Sequence, residues 1–195
     1  MVLPATPTRG RSGRVFARLV SLALLLPLAD GFDFPVNPPD AARYRDAQPF
    51  GGAIAHLGSD WNGAGGGDSD LGDPVFAVAA GRVIAAADHG GGWGNVVRVA
   101  HRVRDRGGER TVESLYAHLD RMDVRPGDRV GRGQPIGTIG TASGRYPAHL
   151  HFELRDPIAR PLGAGYGDPD GHLDPTAFIR AHRPRRRDAD LAPTR

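Results

Sequence analysis

The 195-residue chain contains no cysteine and no lysine. The first absence excludes disulfides, thiolate-ligated metal centres, iron–sulfur clusters and a cysteine nucleophile. The second excludes a lysine Schiff base and the lysine of a nucleotide-binding P-loop. All 25 basic side chains are therefore Arg, and Asp outnumbers Glu by 19 to 3. With the abundant Ala and Gly, this bias reflects GC-rich coding more than any one activity. Helical patterning is scarce too: between residues 50 and 156 no stretch repeats its apolar residues at the helical period.

The formal net charge of +3 is unevenly spread. Residues 1–30 carry four Arg against Asp30, and residues 180–195 carry six Arg against Asp188 and Asp190. The intervening residues 31–179 hold 15 Arg against 19 acids, a net charge of −4. A mildly acidic body is a poor match for a phosphate backbone, so nucleic acid is not an expected partner.

Arg9, Arg11, Arg14 and Arg18 precede an apolar run, Leu19–Leu28, and the small residues Ala29 and Gly31 follow it. This order describes a secretory signal peptide over residues 1–31. The run is shorter than the roughly 18–20 residues that a membrane span needs, and Pro27 interrupts it. Export to a periplasm or the cell exterior is the expectation, with no stable membrane span once the signal is cleaved. Residues 32–50, rich in Pro and Asp, read as a surface lead-in.

Short strand patterns then recur at Val75–Ala80, Arg82–Ala87, Asn95–His101, Arg110–Leu119, Arg129–Val130, Gln134–Gly140 and His149–Arg155, punctuated by glycine. Such spacing argues a mainly β fold, a sandwich or barrel-like sheet, rather than βαβ units. One short helix is expected near the end of an extension over 157–183. There Asp174 caps it, Pro175 takes its first position and Pro184 stops it. The polar, basic stretch 184–195 is expected to be a disordered tail.

Three histidine-bearing stretches concentrate the chemistry: His56-Leu57-Gly58-Ser59-Asp60, Leu115-Tyr116-Ala117-His118-Leu119 and His149-Leu150-His151-Phe152-Glu153-Leu154. In the third, strand alternation puts His149, His151 and Glu153 on one face and Leu150, Phe152 and Leu154 on the other. Two imidazoles so spaced can converge on a metal, yet an isolated H-x-H is more often a solvated strand face. The pattern leaves open whether one ring or both bind. His56 and Asp60 add a neutral nitrogen donor and an anionic oxygen donor, both suited to zinc. Alternation places His118 with Tyr116, opposite Ala117. Glu153 either orients a ring or ends the strand in solvent, and Asp120 reads as solvated.

The order HLGSD, GDPVFAVAAGRV, GGGWGNVVRVAH, LYAHL, VRPGDRVGRGQPIGTIGTASGRYPAHLHFEL resembles the LytM/lysostaphin-type zinc metallopeptidases, the M23 peptidase family. The resemblance runs from about Gly51 to Arg155, and the peptidase domain is set at 51–156. It implies a twisted antiparallel β-sheet core and one zinc ion per chain, held by His56, Asp60 and His151. His118 and His149 would be the catalytic histidines that do not bind metal. It further implies a zinc endopeptidase that hydrolyses peptide cross-links or stem peptides of peptidoglycan through a metal-activated water. The stretch after Asp60, WNGAGGGDSDLG, is longer than the link in simpler members and is expected to reshape the cleft rim.

Residues 90–95, GGGWGN, read as a tight turn and not a phosphate loop, since neither a lysine nor a helix follows. Residues 123–139 are similar to the hairpin of biotinyl and lipoyl carriers but offer no lysine to carry either group. His89, His101 and His172 fall outside the matched positions and read as surface or structural. Two competing readings remain. One is a catalytically silent regulator of cell-wall hydrolysis with the same fold, although all five site positions are filled. The other is a different H-x-H β-protein such as a cupin, which the ordered flanking motifs do not fit.

Overall fold

The structure, a computed structural model, describes residues 26–184. The expected signal peptide and basic tail lie largely outside these residues. Ten strands and a short helix follow one another: β1 Tyr44–Gln48, β2 Ser59–Gly63, β3 Pro74–Phe76, β4 Gly81–Asp88, β5 Asn95–Asp105, β6 Gly108–Met122, β7 Arg129–Val130, β8 Pro135–Ile139, β9 Leu150–Arg155, β10 His172–Leu173 and α1 Pro175–Ala181. The strands join in one sheet ordered β1-β2-β9-β6-β5-β4-β7, with β10 on β9, and β8 linking β6 to β3. Every pairing between these strands is antiparallel. The mainly β, twisted antiparallel architecture with a short C-terminal helix is thus the one expected.

Alternation along β9 sorts its two faces. Leu150, Phe152 and Leu154 enter the main apolar core with Val97, Val99, Tyr116 and Ile136. His151 and Glu153 face the other way, where a small apolar cluster of Val96, Leu115 and Ala117 underlies them. At α1, the Asp174 carboxylate accepts a hydrogen bond from the Ala177 N–H, and Pro175 occupies the first turn, where a missing N–H costs nothing.

The lead-in expectation is corrected. Phe32, Phe34 and Val36 are buried in the main core, and β1 forms within the same stretch. The three apolar residues alternate, but the run is too short, and too closely bracketed by Asp and Pro, to stand out as a strand. Residues before it also pack on the domain. Leu26 is buried, the Ala29 N–H donates to the Arg102 carbonyl, and Arg132 pairs with Asp30 and Asp33.

His101 is structural, as read, and fully buried: its Nδ1–H donates to the Ala80 carbonyl and its Nε2 lies 2.7 Å from Ser114 Oγ. Burial pushes its ring down to about 4, against the Ala80 bond, which favours the charged form. The unfolded chain takes up this proton near 6.5 and the folded chain only near 4. Stability is therefore full above about pH 6.5 and falls by about 3 kcal/mol as the pH drops to about 4. Urea unfolding of His101→Gln should show a pH slope shallower than wild type by up to one proton in this window; an unchanged slope would refute this account.

Candidate metal centre

β2 and β9 lie side by side with Asp60 opposite His151 and Ser59 opposite Phe152. Gly58 permits that approach, since a Cβ there would sit 2.6 Å from the Phe152 carbonyl oxygen and 3.0 Å from His151 Cε1. His56 enters from the preceding segment, which pairs with Gly51 on one side and Tyr166 on the other. Three ligand atoms then converge. His151 Nδ1 lies 2.8 Å from Asp60 Oδ1 and 3.1 Å from His56 Nε2, and His56 Nε2 lies 3.4 Å from Asp60 Oδ1. Among the described residues, these three form the one group of His, Cys, Asp and Glu side chains able to share a metal ion.

The donors fit a zinc ion by geometry and by tautomer. Tetrahedral ligands about 2.0–2.1 Å from zinc stand about 3.4 Å apart, close to the separations observed. The His56 Nδ1–H donates to the Gln48 carbonyl at 2.9 Å, which leaves Nε2 with its lone pair. The His151 Nε2–H donates to Glu153 at 3.1 Å, so Nδ1, 2.8 Å from Asp60 Oδ1, is the nitrogen that a metal would take in place of a proton. Glu153 is thus a buried partner that orients the His151 ring, the first of its two sequence readings. Burial raises the Glu153 carboxyl, but the bonds from His151 and His172 outweigh it and hold the group at about 2. Burial likewise opposes charge on His151, while Asp60 and Glu153 lift it to about 9. For Asp60, burial acts upward, and the bonds from His151 and His56 bring it well below the usual carboxylate range. The site is built to hold positive charge.

His118 reaches the same cleft through a break in β6. The β5–β6 register slips so that Ala117 and His118 together face Val96, a β-bulge, and His118 has φ 63°. Strict alternation would set His118 opposite Ala117 and into the core; the bulge brings its ring centroid to 5.5 Å from that of His151 and 4.8 Å from that of His149. The Trp93 carbonyl accepts both the His118 backbone N–H, at 3.0 Å, and its Nδ1–H, at 3.2 Å. The 90–95 turn read from the sequence is what presents that carbonyl. Gly140 makes room for the bulge, because a Cβ there would lie 2.5 Å from the His118 carbonyl oxygen. Burial, then the neighbouring His151 and His149, push the His118 ring down to about 3. The His149 Nδ1–H donates to the Pro147 carbonyl at 2.8 Å, and its Nε2 lies 3.9 Å from Asp60 Oδ1. Both rings therefore turn Nε2 away from the backbone carbonyls that hold them.

A cleft of about 390 Å³ opens over these groups, walled by Trp93, Tyr146 and Tyr166. Several contributors escaped the sequence reading. Tyr166 comes from the C-terminal extension; it lies with its ring 5.3 Å from that of His56, and its hydroxyl accepts from Gln48. His172 stands with its Nε2 3.6 Å from Glu153 Oε2, so its place is beside the site. Neither Tyr166 nor His172 belongs to a motif, and each lies far along the chain from the site side chain it meets, His56 and Glu153 respectively.

The sheet and this cluster of histidines with one carboxylate form a candidate metal centre. The sequence pattern of Peptidase family M23 matches residues 55–163, more than half of the chain, and the chain belongs to that family. Lipoprotein NlpD of Yersinia enterocolitica is 39% identical over 84 residues, covering 43% of this chain and 78% of that one. Lysostaphin of Staphylococcus simulans is 31% identical over 117 residues, 55% of this chain and 22% of lysostaphin. Murein hydrolase activator NlpD of Salmonella typhimurium is 35% identical over 107 residues, 54% of this chain and 26% of that one. The chain thus spans about a quarter of each of the last two. The solved structure of the antimicrobial peptidase lysostaphin from Staphylococcus simulans shares the fold, with a TM-score of 0.53 at 24% identity over 78% of this chain and 55% of that one. Among the described residues no helix is long and apolar enough to cross a membrane.

Proposed function

We propose that the protein is a zinc-dependent endopeptidase that hydrolyses peptide bonds of bacterial peptidoglycan in the cell envelope. The observation that carries this reading is the meeting of His56, Asp60 and His151 beside a cleft that Asp60, His151, His118 and His149 line. Bound by the three side chains, a zinc ion supplies Lewis acidity towards water and a peptide carbonyl. Glu153 holds the His151 ring in register. His118, neutral across the physiological range, takes a proton at Nε2, and Trp93 fixes its ring for that task. His149, at the more open edge and near Asp60, takes a proton from solvent at Nε2 and passes it to the departing amine, while His118 releases its own proton to solvent. Trp93 and Tyr166 wall the cleft and exclude bulk water from an extended peptide.

A relative named for activating a murein hydrolase supports a second reading, a regulator that cuts nothing. Purified peptidoglycan, digested with and without a chelator and read by mass spectrometry, separates the two. The enzyme releases fragments that the chelator abolishes. No fragments from zinc-loaded protein would favour the regulator.

A further inference from the structure

We propose that Asp68, in the long link after β2, is a positioning residue for His149. The proposal rests on the reading of His149 as a catalytic ring. The link 64–73 does more than alter the rim. Asp68 Oδ1 accepts the Ala148 N–H at 2.7 Å, and Asn62 Nδ2 donates to the Ala148 carbonyl at 3.1 Å. Both backbone polar groups of Ala148, a residue wholly shielded from solvent, are thus taken by side chains from β2 and the loop that leaves it. Asp60 sits on that same strand.

Ala148 lies between the two residues that set the His149 ring: Pro147, whose carbonyl takes the Nδ1–H, and His149 itself. On the other side, the His149 backbone has a longer bond, 3.3 Å, to the Gly140 carbonyl. Turns within the loop anchor Asp68, since the Leu71 N–H donates to its carbonyl, and Asp70 Oδ2 accepts the Gly63 N–H at 2.9 Å. One segment, Asp60 to Asp68, therefore holds a candidate metal ligand at one end and the backbone behind His149 at the other. Asp68 is itself exposed, so removing its carboxylate strips the Ala148 N–H of its protein partner, lets water compete for it and frees residues 147–149 to rotate. Misplacement of a catalytic group by about 1 Å can cost about 100-fold in rate.

The test compares Asp68→Ala with Asp68→Asn, whose amide oxygen can still accept the N–H. Asp68→Ala is expected to lower kcat by about 10- to 100-fold, with KM and zinc content near wild type; Asp68→Asn should recover most of that rate. Wild-type kcat in Asp68→Ala, or an Asp68→Asn as slow as Asp68→Ala, would overturn the proposal. A second readout needs no turnover. In ¹⁵N NMR of the zinc-loaded protein, the hydrogen-bonded Nδ1–H of His149 should weaken or shift in Asp68→Ala while that of His118 stays. An unchanged His149 signal would overturn the proposal even if the wild-type protein proves inactive on peptidoglycan, a result that would count against the proposed function alone.

Discussion

Asp60→Ala is expected to lose its zinc and all measurable hydrolysis while keeping the sheet. Asp60 supplies the one negative charge among the three donors, and its Oδ1 stands within 3.4 Å of both partner nitrogens. Without it, two neutral imidazoles must hold a dication unaided. Loss of a group that merely supports a ligand costs about 10–100-fold in metal affinity, so loss of the ligand itself should cost more than about 100-fold. The fold has little reason to fail. Asp60 lines the cleft, its β2 backbone pairs with β1 and β9 whatever its side chain, and Trp61 next to it keeps its place in the core. Elemental analysis after dialysis against a mild chelator measures the outcome: about one zinc per wild-type chain and close to none in the variant. Stoichiometric zinc in Asp60→Ala would put the metal elsewhere.

The sheet was legible where apolar and polar residues alternate over a full strand. β9 is the clearest case: His151 and Glu153 share the cleft face and Phe152 the core, as alternation requires. β1 and β2 were not legible. Tyr44–Gln48 is a polar edge strand without a buried stripe, and Ser59–Gly63 reads as linker because Gly58, Ser59 and Gly63 suit a turn equally well. Spacing alone left open which histidine of H-x-H faces a metal, and the family resemblance singled out His151. The coordinates gather His151 with His56 and Asp60, while the ring of His149 lies to one side. Alternation puts His118 on the core face with Tyr116, and the structure overturns that, because a bulge that seats a non-glycine residue at φ 63° leaves no compositional mark. Tyr166, Gln48 and His172 were hidden for a different reason: long-range contacts bring single residues together, and no local period announces them. The unusual link after Asp60 was visible as extra length, but its contact with Ala148 was not.

His118→Ala is expected to keep zinc and lose about 100- to 10,000-fold in kcat, the usual worth of a positioned general acid or base. The ring is placed at a cost in backbone strain and is held twice by one carbonyl, that of Trp93. Yet it stands apart from the three converging donor atoms, so its removal takes no ligand from the metal. Its depressed pKa of about 3 keeps it neutral at pH 7, so removal also takes no positive charge away from a bound cation. The variant loses the bond to the Trp93 carbonyl and the packing of a buried ring, so some loss of stability should accompany the change; a melting curve on the zinc-loaded variant separates that from catalysis. Zinc content near one per chain with fragment release reduced to background is the expected pair of results. Loss of zinc together with activity would make His118 a ligand, and retained activity would remove it from the proton-transfer steps and leave His149 to carry them.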